Sequence, residues 1–493
     1  MRTSSAQDRQ SLRMSACRRL DDPLRSEKVE RLLSFRAATF RRKSSARKGR
    51  SSCPARRPHK AALSQTRRRF PILPHERLRE RRMNAVGVVI CLAIAASAGL
   101  GVYLRMRQMA TVEAHRDQVP ADFANEVTLD EHRRAAEYTI AKTEFSIAET
   151  IFDAAVCIAW LALGLAPLYA AIAAFVEPGL VRSVLFVLVF GVIGSLIDMP
   201  FAAARAFWLE EKFGFNRLTP RKFLVDQAKS GALELAISTP LLFGMFWLLG
   251  AAPDTWWVIA YVVFIVIAIA MTVIYPTVIA PLFNKFSPLE DGAMKRRMEA
   301  LLARCGFESK GLFVMDASTR STHGNAYFSG FGKAKRIVFF DTLLEKHSPD
   351  EIESILAHEL GHFKFGHVRQ MLMLAAAIAF VGFAVLWWAF GSDVFAGWFG
   401  LPSDPGVVLV ALLLAREPIS HVLSPVLAWR SRRAEFEADA FARDIVGKEP
   451  MISALTRLTR DNLATLTPDP LYATFYFSHP PVPVRVAQLR AAA

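Results

Sequence analysis

The chain has 493 residues, 52% of them apolar, with a mean hydropathy of +0.24 and a formal net charge of +16. Apolar residues concentrated in long runs exclude an ordinary water-soluble globule and fit a protein that crosses a bilayer several times. The basic balance is local: residues 1–82 hold 25 Lys and Arg against 7 acids, whereas residues 83–493 hold 36 against 38. The body of the chain therefore makes no electrostatic case for a nucleic-acid partner.

In chain order, residues 1–82 are rich in Arg and Ser and carry no binding motif. They are expected to be a disordered extension or to lie upstream of a true start at Met83. Apolar segments follow at about 85–104, 151–176, 180–206, 232–251 and 256–280, so that residues 83–280 read as an N-terminal membrane domain of five spans. Two further segments, 370–390 and 405–429, fall within residues 281–493. Pro276 and Pro281 punctuate the exit of the fifth span, and Pro418 and Pro425 are expected to kink the seventh. The five cysteines, Cys17, Cys53, Cys91, Cys157 and Cys305, show no C-x-x-C spacing and imply neither a disulfide framework nor a thiolate metal site.

Lys and Arg crowd the first, third and fifth loops and the tail after Trp429, and the loops between have one or none. By the positive-inside rule the long segment 281–369 and the tail are cytoplasmic, and the first span starts outside. That orientation collides with the basic residues 1–82, a further reason to set them apart.

Between the fifth and sixth spans, a helix is expected near 293–305 and strands at 312–315, 325–328 and 336–340, the last two joined by a Gly-containing turn at 329–335. On local sequence Asn325-Ala326-Tyr327 reads as an ordinary hairpin, although the outer edge of such a strand could hold an extended peptide. Next comes Ser348-Pro349-Asp350-Glu351, a capping box with proline at the first helical position. Ile352, Ile355, Leu356, Leu360 and Phe363 then recur at helical spacing.

That helix carries His358-Glu359-Leu360-Gly361-His362. Histidines at i and i+4 share one helix face, and with a carboxylate beside them they can hold Zn²⁺ next to a general base; the bland reading is a polar helix turn. His362 lies eight residues before Gln370 and the apolar run that follows, about 12 Å of helix rise, which puts a metal here close to a membrane surface.

A catalytic zinc needs a third protein ligand. The best candidate is Glu435, in a helix-compatible stretch directly after the seventh span, with Asp439 one turn on, where it could accept the free N–H of a ligating histidine. A solvated acidic turn is the alternative, and Glu437 faces elsewhere by periodicity.

The chain resembles the type 1 CAAX prenyl endopeptidase family through five motifs. These are Ala280-Pro281-Leu282-Phe283-Asn284-Lys285-Phe286, His323-Gly324-Asn325-Ala326-Tyr327-Phe328, the run from Arg336 to Leu344, the His358 motif, and Glu435-x-x-x-Asp439. Phe213-Gly214-Phe215-Asn216-Arg217 fits the same pattern, and the likeness runs from about Met83 to the C-terminus.

The resemblance implies a mainly α polytopic membrane protein, about seven helices enclosing a hydrated chamber, with a cytoplasmic α+β gluzincin metallopeptidase domain. It implies one Zn²⁺ per chain on His358, His362 and Glu435, Glu359 as base, and Asp439 behind the ligands. It also implies substrate binding along Asn325 and Ala326, and a stabilising role for His479, with Arg485 six residues later; alone, His479 reads as a loop histidine before a helix. Arg416, Glu417 and His421 are costly in lipid and are expected to face the chamber and pair with one another.

The expected activity is zinc-dependent cleavage of membrane-tethered polypeptides, prenylated ones among them. An Arg- and Ala-rich composition, and a terminus without a retention signal, lean towards a bacterial inner membrane. Two other classes fit parts of the pattern. A heat-shock membrane protease would share the zinc motif with fewer spans, and a polytopic transporter with structural zinc would need four protein ligands and no Glu359.

Overall fold

The computed structural model describes residues 82–308, 311–329 and 336–491. The expectations for the basic extension, for Cys17 and Cys53 and for the turn at 330–335 lie outside the described residues.

The membrane domain begins with α1 (Ala85–Ala114), whose first amides are capped by the Asn84 side chain. A capping box of Thr128 and Glu131 starts α2 (Leu129–Ala159), which continues through a π-helical turn into α3 (Leu165–Ala173). Then come α4 (Leu180–Ala204), extended by a π turn over Arg205–Glu210, α5 (Pro220–Ala251) and α6 (Trp256–Ile274). The fifth span ends where expected, in a π turn at Tyr275–Ile279 that holds Pro276 and a 3₁₀ turn at Ala280–Leu282 that holds Pro281.

The second unit opens with β1 (Phe286–Pro288), α7 (Ala293–Arg304), β2 (Leu312–Met315), β3 (Ala326–Ser329) and β4 (Arg336–Phe340). The sheet order is β1-β2-β4-β3, antiparallel except for β2 against β4, so β3 is an edge strand. The expected hairpin is real, with Ala326 opposite Phe339; β1 was not expected, being three residues long with a proline at its end.

Helices α8 (Asp341–Lys346) and α9 (Pro349–Lys364) follow, the latter with both arms of the Ser348–Glu351 capping box formed. Gly366, at φ +65°, breaks the chain between α9 and α10 (His367–Phe390), a conformation that glycine adopts without strain. The rest is α11 (Val394–Trp398), α12 (Pro405–Ala415), α13 (Glu417–Val446), α14 (Lys448–Asp461), α15 (Pro470–Tyr476) and α16 (Val482–Ala491).

All seven expected spans lie in helices long and apolar enough to cross a membrane: six single ones, and a seventh formed by α12 and α13 bent by 48°. The bend falls at Arg416, with Pro418 in the first turn of α13 and Pro425 inside it. Most helices outrun the apolar segments, α2 starting at Leu129 rather than near 151, because hydropathy marks only the part that lipid requires to be apolar.

Several ionisable groups inside the bundle share one cavity. Arg105, Glu149, Asp153, Asp198, Glu417 and His421 line one cavity between α1, α2, α4 and α13, as expected for Glu417 and His421. Arg416 bonds Ser420 at 3.3 Å, and Glu417 takes a 3.4 Å bond from Ser97.

The soluble core packs Met298 and Leu301 of α7, Ile337 and Phe339 of β4 and Ile352 and Leu356 of α9 into one cluster, all 2% exposed or less. This holds α9 between the sheet and α13.

Candidate metal centre

The site begins with a glycine. A Cβ on Gly361 would stand 2.9 Å from the Cα of Ala438, so α9 and α13 touch backbone to backbone between the two histidines and the two carboxylates. This close approach carries Glu435 to His362 and His358, 73 and 77 positions before it.

His358 Nε2 and His362 Nε2 are 3.2 Å apart, Glu435 Oε2 is 3.4 Å from the first, and Glu435 Oε1 is 3.3 Å from the second. A tetrahedron with metal–ligand bonds of about 2.0–2.1 Å has edges of about 3.3–3.4 Å; the two imidazole nitrogens stand near that spacing, each has one carboxylate oxygen at it, and one ligand atom from each of the three residues lies within 4.8 Å of the others. Two imidazole nitrogens and a carboxylate are also the donor set of catalytic zinc. Among the described residues this is the one group of His, Cys, Asp and Glu side chains spaced to share an ion. His479 Nδ1 lies 2.8 Å from Glu435 Oε2 without hydrogen-bond alignment, leaving that buried oxygen lacking a donor that a cation would replace.

Electrostatics point the same way. Burial pushes the His358 imidazolium down, but hydrogen bonds to Asp439 and Glu435 outweigh it and carry its pKa up to about 9. The pocket favours positive charge where a metal would sit. Glu359, beside it on α9, is raised by burial against the pull of His362 and His358.

Behind the three donors lies a second set of contacts. His358 Nδ1 is 2.8 Å from Asp439 Oδ1, which fixes Nε2 as the nitrogen facing the site. Arg485 grips both oxygens of Asp439 at 2.5 and 2.7 Å and reaches within 3.5 Å of Glu435, with all three side chains buried. Glu437 faces away from the cluster, as its periodicity implied.

Asn325 and Ala326 sit at the start of the edge strand β3, which packs against α9; the Asn325 side chain accepts from the Ala326 amide at 2.8 Å. The segment leading into β3 is clamped to the membrane helices, an arrangement that sequence reasoning missed. Arg320 forms a buried ion pair with Asp226 of α5 at 3.1 Å, and its carbonyl accepts from the Arg217 amide. His323 stacks on Phe215 at 3.9 Å between centroids and contacts Glu210 and Asn462. The only advance signal was that Phe215 and His323 each fell in a motif.

Residues 108–285 match a family described as CAAX prenyl protease N-terminal, five membrane helices, and residues 288–493 match peptidase family M48. The chain is 32% identical over 416 residues to CAAX prenyl protease 1 of Saccharomyces cerevisiae, covering 78% of this chain and 91% of that one. It is 30% identical over 354 residues to the CAAX prenyl protease 1 homolog of Homo sapiens, covering 64% and 74%. The crystal structure of S. mikatae Ste24p superposes with a TM-score of 0.77 at 30% identity, over 83% of this chain and all of that one.

Proposed function

The chain belongs to the CAAX prenyl protease 1 family of M48 peptidases, and we propose that it hydrolyses membrane-tethered polypeptides at one zinc held by His358, His362 and Glu435. It is an integral-membrane metalloendopeptidase; the ligand assignment, substrate and sidedness are our reading. The observation that carries the reading is the convergence of three donors from two distant helices at 3.2–3.4 Å.

When bound, zinc supplies a Lewis acid that polarises the scissile carbonyl and acidifies a water. Glu359 takes the proton of that water and delivers it to the leaving amine. Its raised affinity for a proton supports the first half of that transfer. His479, whose ring stands beside Glu435, is read as the side chain that stabilises the developing oxyanion. Arg485 and Asp439 act at one remove, holding His358 and Glu435 in place.

Substrate is read as an extended chain paired with the edge strand β3 from Asn325 and Ala326 onward, with main-chain hydrogen bonds supplying affinity. The short path from the metal helix into α10 supports a tethered substrate, and loop charges support a cytoplasmic site. The Arg- and Ala-rich composition supports a bacterial inner membrane. Prenylated C-terminal peptides, for which the relatives are named, are the first class to test. The purified protein is incubated with a prenylated peptide and its unprenylated twin and the products read by mass spectrometry. Preferred cutting of the prenylated peptide is expected; equal cutting removes the prenyl preference, and no cutting of either, with zinc bound, overturns the reading.

A further inference from the structure

Each histidine of the metal pair needs a partner for its second ring nitrogen, and the two are served differently. His358 Nδ1 meets the Asp439 carboxylate directly. His362 Nδ1 meets another imidazole, His367 Nδ1, at 3.0 Å, and His367 Nε2 lies 3.1 Å from Glu437 Oε2. Neither His367 nor Glu437 belongs to the donor cluster.

We propose that His367 is a positioning residue that fixes the tautomer and ring plane of His362 and thereby sets the metal affinity of the site. The inference rests on His362 being a ligand through Nε2, the nitrogen that faces His358 and Glu435.

The protons can be placed in only one order. A ligating Nε2 offers its lone pair, so the proton of His362 is on Nδ1 and donates to His367 Nδ1. That nitrogen must then be an acceptor, which puts the proton of a neutral His367 on Nε2, where it donates to Glu437. The relay ends on a carboxylate, as the direct contact of His358 does, and both arrangements raise the basicity of the ligating nitrogen. Glu437 is about half exposed and pairs loosely with Arg433 at 3.4 Å, while His367 is nearly buried. His367 thus brings the influence of a surface carboxylate to a ligand whose Nδ1, among the described residues, meets His367 and no acidic side chain.

The backbone is shaped for this contact. On an unbroken helix, residues five apart lie about 140° from each other around the axis and cannot meet. Gly366, at φ +65°, ends the metal helix and returns His367 towards His362. Because His367 is the first residue of α10, the relay also ties the metal site to the root of a membrane span.

The test is zinc affinity, measured by chelator competition on the purified full-length protein in detergent, for the parent and for His367→Phe, His367→Gln and His362→Ala. Loss of such a supporting contact weakens metal binding by about 10–100-fold, and that range is expected for His367→Phe, which keeps the ring volume but cannot accept. His367→Gln, whose amide can accept from His362 and donate to Glu437, is expected to restore most of the affinity. Parent-like affinity in His367→Phe, or equal losses in the Phe and Gln variants, overturns the proposal while leaving the metal site intact. Unchanged affinity in His362→Ala removes the ligand reading itself, and the proposal with it.

Discussion

Replacing Gly361 with alanine puts a methyl group where α9 and α13 meet. The new Cβ would lie 2.9 Å from the Cα of Ala438 and 3.2 Å from both its Cβ and its carbonyl oxygen. The first contact is to backbone, which no rotamer change relieves, so the helices must part by about half an ångström to reach ordinary contact. The three donors sit on opposite sides of that seam at 3.2–3.4 Å, and metal bonds tolerate only about ±0.2 Å. Overpacking of this kind costs about 1–3 kcal/mol. The metal-free protein can relax by splaying, so the strain falls on metal binding, and at 1.4 kcal/mol per tenfold it predicts zinc affinity weakened by about 5- to 150-fold. Alanine also gains about 0.8–1.0 kcal/mol of helix propensity over glycine, so thermal stability without metal should fall much less than affinity. Zinc competition and circular dichroism on Gly361→Ala read the two effects separately. A second variant sharpens the point: Ala438→Gly removes the 3.2 Å contact to Cβ but neither the 2.9 Å contact to Cα nor the 3.2 Å contact to the carbonyl oxygen, so it should not rescue Gly361→Ala. Zinc affinity within twofold of the parent, or full rescue by Ala438→Gly, would refute the close-approach argument.

Glu359→Gln should lower turnover by at least about 10²–10⁴-fold while zinc content stays near one per chain, because it removes the proton acceptor and no ligand; peptide cleavage alongside metal analysis checks this. Glu435→Ala should lose zinc on dialysis, and retained stoichiometry would point to a different third ligand. Asp226→Asn uncouples the lead-in of the edge strand from α5 and leaves Arg320 buried without its full countercharge, a change costing up to about 3–5 kcal/mol of stability. It should raise KM for peptide more than it lowers kcat and leave zinc affinity unchanged, a combination that steady-state kinetics with metal titration would expose.

Much of this was legible in advance wherever the signal is local. The capping box at Ser348–Glu351, the apolar stripe behind it and the i, i+4 histidines follow from helical geometry and are found on α9. The strands at 312–315 and 336–340 and the helix at 293–304 come from periodicity in the same way. The short β1, with no period to read, did not, and the polar turns that carry α2 back to Leu129 carry no apolar signal. At the site, Glu435 and Asp439 could be paired with the histidines by spacing and resemblance, but nothing in the local sequence singled out His367 or Arg320.

The chain's own order of residues was enough to set the seven spans, the metal helix and the chemistry of its side chains, since lipid, helix period and capping act on neighbours in sequence. Only the folded molecule decided that Gly361 meets Ala438, that His362 leans on His367 and that Arg320 locks onto Asp226. The physical reason is one of range. The Gly361 and Arg320 contacts join residues 77 and 94 positions apart through packing and desolvation that no short window contains, and His367 reaches His362 only because Gly366 turns the chain out of the helical period.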